Sequence, residues 1–404
     1  MAPNPLHIGV ALDGAGWHPA AWRAPNSRPA ELFGPGYWTD LVTTAERGLL
    51  DFVTIEDTLT IPGPPHTPAD DAVDRVRARI DAHLIAARVA PVTRRIGLIP
   101  TVTTTHTEPF HVSTALATLD YTSLGRAGWQ VRVSGTAQEA AHFGRRTVPD
   151  LSAAELGEAL RSGVYPAHVH DLFDEAVDAV EVVRRLWDSW EDDAEIREVS
   201  TRRFIDRDKL HYIDFEGRFF SVRGPSITPR PPQGQPVVTA LAHSPLVYEF
   251  AARVADVVFV TPGRAAGPGH ILEQVAAASA RAERGGEPLR VYPDLVVFLD
   301  TDDESGAQRL ARLDELSGGE FSSDAAIFTG SADDLADLLL EWSAQGADGF
   351  RLRPGVAVDD LTAITDRLVP VLQRRGAFRA DYPDGSLRSL LGLSATAPNR
   401  YTTV

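Results

Sequence analysis

The sequence has no cysteine, no long apolar segment and few basic residues relative to acidic ones. Without cysteine, disulfides, thiolate nucleophiles, iron–sulfur clusters and cysteine-ligated zinc are excluded. No apolar run approaches the ~20 residues that a membrane-spanning helix needs. Met1–Val10 has neither the basic segment nor the long apolar segment of a signal peptide. We therefore expect a cytoplasmic protein without a membrane partner.

The 404 residues carry a formal net charge of −17. This balance disfavours nucleic acid as a partner, because binding to a phosphate backbone requires clustered Lys and Arg. A chain of this length buries roughly 75% of the surface that it exposes when unfolded, so its core needs no disulfide or metal.

Common catalytic motifs are also absent. The sequence contains no HExxH zinc motif, no GxSxG nucleophile elbow and no GxxxxGK[ST] phosphate-binding loop. The glycine-rich stretch 263–269 does not match GxGxxG. His168 and His170, beside Asp171, are interpreted as a solvated loop, because a metal site usually needs three ligands. We therefore expect no metal.

Eight short apolar segments alternate with longer helical patterns. Most are nearly continuous apolar runs, which is typical of parallel strands buried on both faces. Eight such strands with helices between them predict an α/β protein with a (β/α)8 TIM barrel, since a doubly wound sheet usually stops at five to seven strands. The predicted strands are Leu6–Leu12, Phe52–Glu56, Ile96–Val102, Trp129–Val133, Pro236–Leu241, Val257–Val260, Val291–Leu299 and Gly349–Leu352.

Two of the predicted helices have a clear apolar spacing. One begins near Asp70, and its apolar face would hold Val73, Val76, Ile80, Leu84 and Ala87. The other begins after Ser331 as N-cap, with Asp334 three residues on. Its apolar stripe would comprise Leu335, Leu338, Leu339 and Trp342.

Three connections are longer than a simple barrel requires. They cover residues 143–172 after the fourth strand, 192–235 before the fifth, and 300–330 after the seventh. Long connections inside a compact domain are usually lids or substrate-shaping insertions. We expect a single domain over residues 1–404, enlarged by these insertions and by a C-terminal extension, 376–404, that packs on the barrel or on a neighbouring subunit.

Polar residues follow the predicted strands, at the end where TIM barrels place their chemistry. Hydroxyls, backbone N–H groups and helix N-termini there are sufficient to hold one phosphate. For Asp57 and Ser244, plain capping is an equally open interpretation. Arg264, Arg351 and Arg353 lie near this ring and are interpreted as structural more readily than as anion-binding. The ring comprises Asp13 to His18, Glu56, Asp57, Thr103 to His106, Ser134, His243, Ser244 and Thr261.

Several spaced segments resemble the bacterial-luciferase-like flavin monooxygenases, in the branch that contains nitrilotriacetate, dibenzothiophene-sulfone and long-chain alkane monooxygenases. The most specific segment runs from Phe215 to Pro225, beside the Pro-Arg-Pro-Pro-Gln-Gly of 229–234. The others are His18-x3-Trp22-Arg23, Ala45 to Gly48, Ile96 to Thr105, Glu108 to His111, Ala117 to Asp120, Gly125 to Trp129, Leu186 to Trp190 and Arg374 to Leu393.

The resemblance implies a TIM barrel with insertions that uses reduced FMN (FMNH2) supplied by a separate NAD(P)H-dependent flavin reductase. It implies that the reduced flavin reacts with O2 to give a peroxyflavin, which oxygenates a small organic substrate. The cofactor then carries the difficult chemistry, and the protein positions substrate and excludes water. A homodimer or homotetramer is implied as well.

The resemblance also implies roles for individual residues. Asp57 matches the acidic residue that contacts the flavin, and Thr103 or Thr104 matches the threonine after the third strand. Ser244 matches the serine near the flavin phosphate. His18 matches the histidine that faces the substrate or the flavin edge.

The chain departs from the family pattern in the phosphate corner and next to it. Gln130 stands where the family has Asn, and Phe173 stands where it has a phosphate-binding Tyr. Ala242 and His243 stand in place of Gly-Ser before Ser244. His243 or His170 is therefore predicted to replace the missing phosphate donor.

A proton donor near the reacting oxygen is expected to be a histidine, because its pKa suits neutral pH. His18 is the first candidate and His243 the second. His106 and His111 also lie near the mouth, although a packing role is favoured for His111.

Two other functions remain open. The altered phosphate corner is compatible with an oxidoreductase of the same superfamily that uses the deazaflavin F420 or another flavin. It is also compatible with a barrel that has lost flavin and only binds a ligand. The presence of Asp57, Thr103 and Ser244 argues against that loss.

Overall fold

Eight parallel strands pair edge to edge and close into a barrel in the computed structural model, which describes residues 5–61, 73–284 and 286–402. Closure is made by pairing of the eighth strand with the first, where Ile8 lies opposite Phe350. The predicted (β/α)8 barrel is therefore confirmed. In chain order the barrel strands are Ile8–Leu12, Phe52–Ile55, Gly97–Thr103, Gly128–Arg132, Val237–Ala242, Val257–Val260, Arg290–Leu299 and Phe350–Pro354.

Each barrel strand lies within two residues of its predicted bounds. The strands are predictable because nearly all of their residues are buried on both faces, against the barrel interior and the surrounding helices. The α-helices of the described residues are Pro35–Arg47, Ala82–Val89, Pro109–Ser123, Ala137–Phe143, Ala153–Ser162, Ala167–Asp188, Pro245–Val254, Gly269–Arg281, Gly306–Ser317, Ala332–Ala344, Ala357–Ala363, Val369–Arg374 and Leu387–Leu390. None of them is long and apolar enough to cross a membrane.

The helix predicted from Asp70 is wrong in its extent. Asp70 lies outside the described residues, and of residues 73–89, which are described, only Ala82–Val89 are α-helical. Val73 and Leu84, expected on the apolar face, are 92% and 66% exposed. The cause is Asp81, whose carboxylate caps the N–H of Leu84 and starts the helix there.

The helix predicted after Ser331 is confirmed. The Ser331 hydroxyl accepts a hydrogen bond from the Asp334 N–H, and the Asp334 carboxylate accepts one from the Ser331 N–H in return, a reciprocal capping box. Leu335, Leu339 and Trp342 of its predicted stripe are buried.

The long connections contain short elements of their own. Residues 192–235 include two hairpins, Glu195–Glu198 with Arg203–Ile205 and Phe215–Glu216 with Ser221–Val222. Within 300–330, the strand Ala326–Gly330 pairs in parallel with the far half of the seventh barrel strand. The C-terminal segment packs on the barrel, where Leu6 N–H donates to the carbonyl of Ala377.

Fully buried charges cross the barrel interior. The Asp294 carboxylate, on the seventh strand, accepts hydrogen bonds from Nε and Nη2 of both Arg351 and Arg353 on the eighth. All three side chains are 0% exposed. Arg351 also donates to Glu56 at 3.0 Å and to the Gln130 side chain at 2.6 Å, which links the eighth strand to the second and fourth. We call these five residues the barrel-floor network.

Replacement of Asp294 by Ala should destabilise the protein by about 3–5 kcal/mol, because it leaves two buried guanidinium groups without their shared carboxylate. Urea unfolding followed by tryptophan fluorescence measures the effect. Asp384→Ala is the matched control: Asp384 is 94% exposed and paired with Arg95, so its loss should cost less than about 0.5 kcal/mol. Equal losses for the two variants would contradict the assigned role of Asp294.

Candidate functional site

The candidate site lies at the carboxyl ends of consecutive barrel strands. The second, third, fourth and fifth strands are neighbours in the sheet, so the residues that follow them line one continuous arc of the barrel mouth. Asp57, Thr103, Thr104, His243 and Ser244 all belong to this arc. The structure thus brings together five of the eight residues predicted for the site, whereas Gln130 lies within the fourth strand, below the arc.

Asp57 is held by the start of the second barrel helix. One carboxylate oxygen accepts the Thr58 N–H at 2.7 Å, and the other accepts the Ala82 N–H at 2.9 Å. Burial raises the pKa of Asp57, and these two hydrogen bonds oppose the rise. Asp57 therefore positions the loop beside the mouth, in addition to facing the cavity there.

Thr103 and Thr104 form part of a hydroxyl network between the third and fourth strands. Thr103 Oγ1 lies 3.0 Å from the hydroxyl of Ser134, and it accepts the Thr105 N–H at 3.2 Å. Thr104 Oγ1 donates to the Arg132 carbonyl. Both threonines are buried, and of the two it is Thr103 that lines the cavity at the mouth.

Gln130 is fully engaged below the mouth. Its side-chain amide donates to Glu56 and to Thr101, each at 2.9 Å, and its carbonyl oxygen accepts from Arg351. Gln130 is 4% exposed, so in this structure it belongs to the barrel-floor network.

Ser244 opens the helix Pro245–Val254, but its hydroxyl makes no capping hydrogen bond. The first N–H groups of a helix have no partner within the helix, so they are available to an anion. His243 is exposed directly beside them. Loss of hydration lowers the pKa of His243, Asp324 opposes this shift, and Arg353 reinforces it. His243 and a Ser244 hydroxyl without a capping hydrogen bond therefore stand together at a helix N-terminus.

His170 belongs to a different helix from the one that Ser244 opens. It is an exposed residue in the first turn of the helix Ala167–Asp188, and its ring packs edge-on against Tyr165. Phe173 of the same helix packs against Phe250, with ring centroids 5.5 Å apart. The side chain that replaces the family's tyrosine is thus part of the helix–helix contact.

His18 lies in the loop after the first strand, and its side chain is buried. Its Nδ1 accepts the Ala20 N–H at 3.0 Å, and its Nε2 lies 3.1 Å from the Asp314 carboxylate. The ring packs on Phe298 and Phe321 and is 0% exposed as a side chain. Both ring nitrogens are engaged, so His18 connects the loop after the first strand to the helix Gly306–Ser317.

Sequence reasoning missed Arg132, at the end of the fourth strand. It lines a cavity at the mouth together with Asp57 and Thr103. The signal was the alternation of Gln130 and Arg132, which puts two polar side chains on the same face of a strand that otherwise reads as apolar.

The site thus combines the mouth of a (β/α)8 barrel, buried hydroxyls after the third strand and a helix N-terminus after the fifth. Comparison with known proteins identifies the class. The family model described as luciferase-like monooxygenase matches residues 16–349. The chain belongs to this family and is an enzyme of the monooxygenase class, as the resemblance in its sequence indicated.

Its relatives span the whole chain. It is 29% identical to N-acetyl-S-(2-succino)cysteine monooxygenase from Bacillus subtilis, over 98% of each chain. It is also 29% identical to nitrilotriacetate monooxygenase component A from Aminobacter aminovorans, over 97% of each. The crystal structure of a long-chain alkane monooxygenase superposes with a TM-score of 0.85 at 23% identity and covers 98% of both chains. This structural match confirms the fold.

His18→Gln should reduce the free energy of unfolding by about 1–2 kcal/mol near neutral pH through loss of packing and hydrogen bonds. Burial lowers the pKa of His18 below its ordinary 6.5, with Asp314 opposing. Below this pH the unfolded chain takes up a proton at His18 more readily than the folded protein does. The free energy of unfolding therefore decreases as the pH falls below 6.5. The difference between wild type and variant should shrink from about pH 7.5 to about pH 5.5 in urea unfolding. A difference independent of pH would contradict this.

Proposed function

We propose that this protein is the oxygenase component of a two-component flavin-dependent monooxygenase. It takes FMNH2 from a separate NAD(P)H-dependent reductase and uses O2 to oxygenate a small organic substrate. The observation that carries the proposal is the start of the helix Pro245–Val254, where the Ser244 hydroxyl makes no capping hydrogen bond, in a chain of the luciferase-like family. One relative is itself named as a component A, which supports a separate partner.

The residues of the mouth fit FMN. Proline has no N–H, so the helix that starts at Pro245 offers the N–H groups of Leu246 and Val247, and the Ser244 hydroxyl and the exposed His243 add two further donors. These groups would hold the phosphate in a protein of net charge −17. Asp57, Thr103 and Thr104 would border the ring system along the neighbouring strands. Gln130 and His170 stay in the proposal as cofactor-binding residues, and Gln130 would have to leave the barrel-floor network to make contact.

Reduced FMN, when bound, would supply the electrons that activate O2. The protein's own task is then to orient the substrate and to exclude water, which would divert the oxidant. The buried hydroxyls of Thr103 and Ser134 donate and accept hydrogen bonds without carrying charge. His243 is the better placed of the two proposed catalytic histidines, because it is exposed at the mouth whereas His18 is sealed.

The organisation of the protein is part of the same proposal. Residues 1–404 act as one domain, in which the insertions shape the mouth, and the protein assembles as a homodimer or homotetramer in the cytoplasm. An F420-dependent reaction and a barrel without flavin are the alternative outcomes of the experiments below.

Anaerobic titration of the purified protein with FMNH2 and, separately, with reduced F420 tests the proposal. We expect saturable binding of FMNH2, followed on admission of O2 by reoxidation slower than that of free FMNH2, because the site excludes water and protons. Oxidised FMN serves as the control for unspecific flavin binding. Binding of reduced F420 alone would favour the second function, and binding of neither would overturn both enzyme functions.

Ser244→Asp should weaken FMN binding roughly tenfold or more, because the added carboxylate would occupy the helix N-terminus and repel the phosphate. Riboflavin, which lacks the phosphate, should bind the variant and the wild type within about twofold. Ser331→Asp is the matched control, since Ser331 also starts a helix and Asp caps a helix as well as Ser does. Equal weakening of FMN and riboflavin would place the phosphate elsewhere.

A further inference from the structure

A side cavity of about 360 Å3 opens from the arc between the second and third strands. Its floor is formed by the carboxyl end of the third strand, and its walls by the starts of the helices Ala82–Val89 and Pro109–Ser123. Most of the wall is apolar and comprises Leu59, Leu84, Val102, Val112, Ala115 and Leu116. Such a chamber accepts the apolar part of a small ligand.

One cation in this chamber, Arg132, has no carboxylate partner. Arg132 makes no ion pair with any carboxylate of the described residues, and the one hydrogen bond of its guanidinium goes to the Thr58 hydroxyl at 3.2 Å. Its Nε is buried and has no hydrogen-bond partner in the described structure. A buried donor on a charged group without an acceptor costs free energy, unless a ligand supplies the acceptor.

The carboxylates near Arg132 are all engaged elsewhere. Asp57 accepts two backbone N–H groups, and Asp81 caps the N–H of Leu84. Asp13 is paired with Arg79 at 2.7 Å, and Glu56 belongs to the barrel-floor network. Arg132 is therefore an arginine of the chamber wall that forms no ion pair within the described residues, and it lies where the polar mouth meets the apolar wall.

We infer that this chamber is a substrate subsite for a small amphipathic organic anion, whose carboxylate or similar group binds Arg132 while its apolar chain packs on the wall. The inference rests on the proposed function, because it assigns the substrate class of that same site. A planar guanidinium presents two donors to a carboxylate and so fixes the orientation of the bound molecule. The bound chain then lies beside Thr103, at the edge of the flavin site.

The anion at Arg132 could in principle be the phosphate of FMN instead of a substrate carboxylate. The positions of the residues distinguish these two cases. Ser244, His243 and Thr104 are not on the chamber wall. Arg132 reaches back toward Thr58 after the second strand, away from the fifth strand where the phosphate corner lies. The chamber thus meets the predicted flavin site at Asp57 and Thr103 and extends outward from there.

The test uses hexanoate and hexanamide, which have the same chain and differ in charge. Isothermal titration of the flavin-free protein should show that hexanoate binds at least about tenfold more tightly than hexanamide, because a charge-assisted hydrogen bond is stronger than a neutral one. Arg132→Gln should abolish this preference, and Arg132→Lys should retain part of it. Arg281→Gln removes an exposed arginine paired with Glu249 and should leave the preference unchanged.

A second measurement separates this subsite from the cofactor. The affinity of Arg132→Gln for FMNH2 should stay within about twofold of wild type, whereas a selective loss of FMN relative to riboflavin would assign Arg132 to the phosphate. No binding of hexanoate, or equal binding of hexanoate and hexanamide, would overturn the subsite. The titrations with hexanoate and hexanamide need neither flavin nor turnover, so their failure is distinguishable from failure of the proposed function.

Discussion

The buried contact of Asp294 with Arg351 and Arg353 is the constraint on which the rest of the barrel mouth depends. Two guanidinium groups and one carboxylate are stable inside a barrel only when their donors and acceptors find partners there, because removal from water is costly for each charge. Their partners come from separate parts of the barrel, namely Glu56 directly after the second strand, Gln130 on the fourth and Asp324 in the insertion after the seventh. The network therefore ties the strands to one another at a fixed level below the mouth.

This fixed floor determines which side chains remain available above it. The Gln130 side chain forms hydrogen bonds with Glu56, Thr101 and Arg351, and it would have to break these bonds to reach the surface of the mouth. Arg132, two residues further along the same strand and on the same face, lies above the floor and has no carboxylate partner among the described residues. On the fourth strand, Gln130 therefore has a structural role, and Arg132 remains available to a ligand.

The strands were predictable because a parallel strand buried on both faces leaves a continuous apolar run in the sequence, whatever its neighbours are. The helix predicted from Asp70 failed for the opposite reason, since the spacing of Val73 and Val76 is outweighed by the local capping at Asp81. Single capping interactions are short-range and can override a periodic pattern over one or two turns.

The candidate site was predictable in its location and less so in its individual roles. Strand ends are readable from the sequence, so Asp57, Thr103 and Ser244 could be placed on one arc. The partner of His18 could not be read, because Asp314 is almost three hundred residues away and belongs to an insertion. Whether a histidine is free or tied depends on such distant contacts, and one sequence does not reveal them.

The strand Ala326–Gly330 attaches the insertion 300–330 to the barrel by pairing with the seventh strand. It pairs with Leu295–Leu299, on the edge of the seventh strand that the shorter sixth strand leaves uncovered, and so it raises the barrel wall at that point. Asp324 enters just before this strand and meets Arg353 at 2.6 Å. The backbone pairing of Ala326–Gly330 with the seventh strand therefore positions Asp324 beside Arg353. The insertion is thus fixed at two separate points: the register of this strand against the seventh sets the place of Asp324, and the contact of Asp314 with His18 holds the helix Gly306–Ser317.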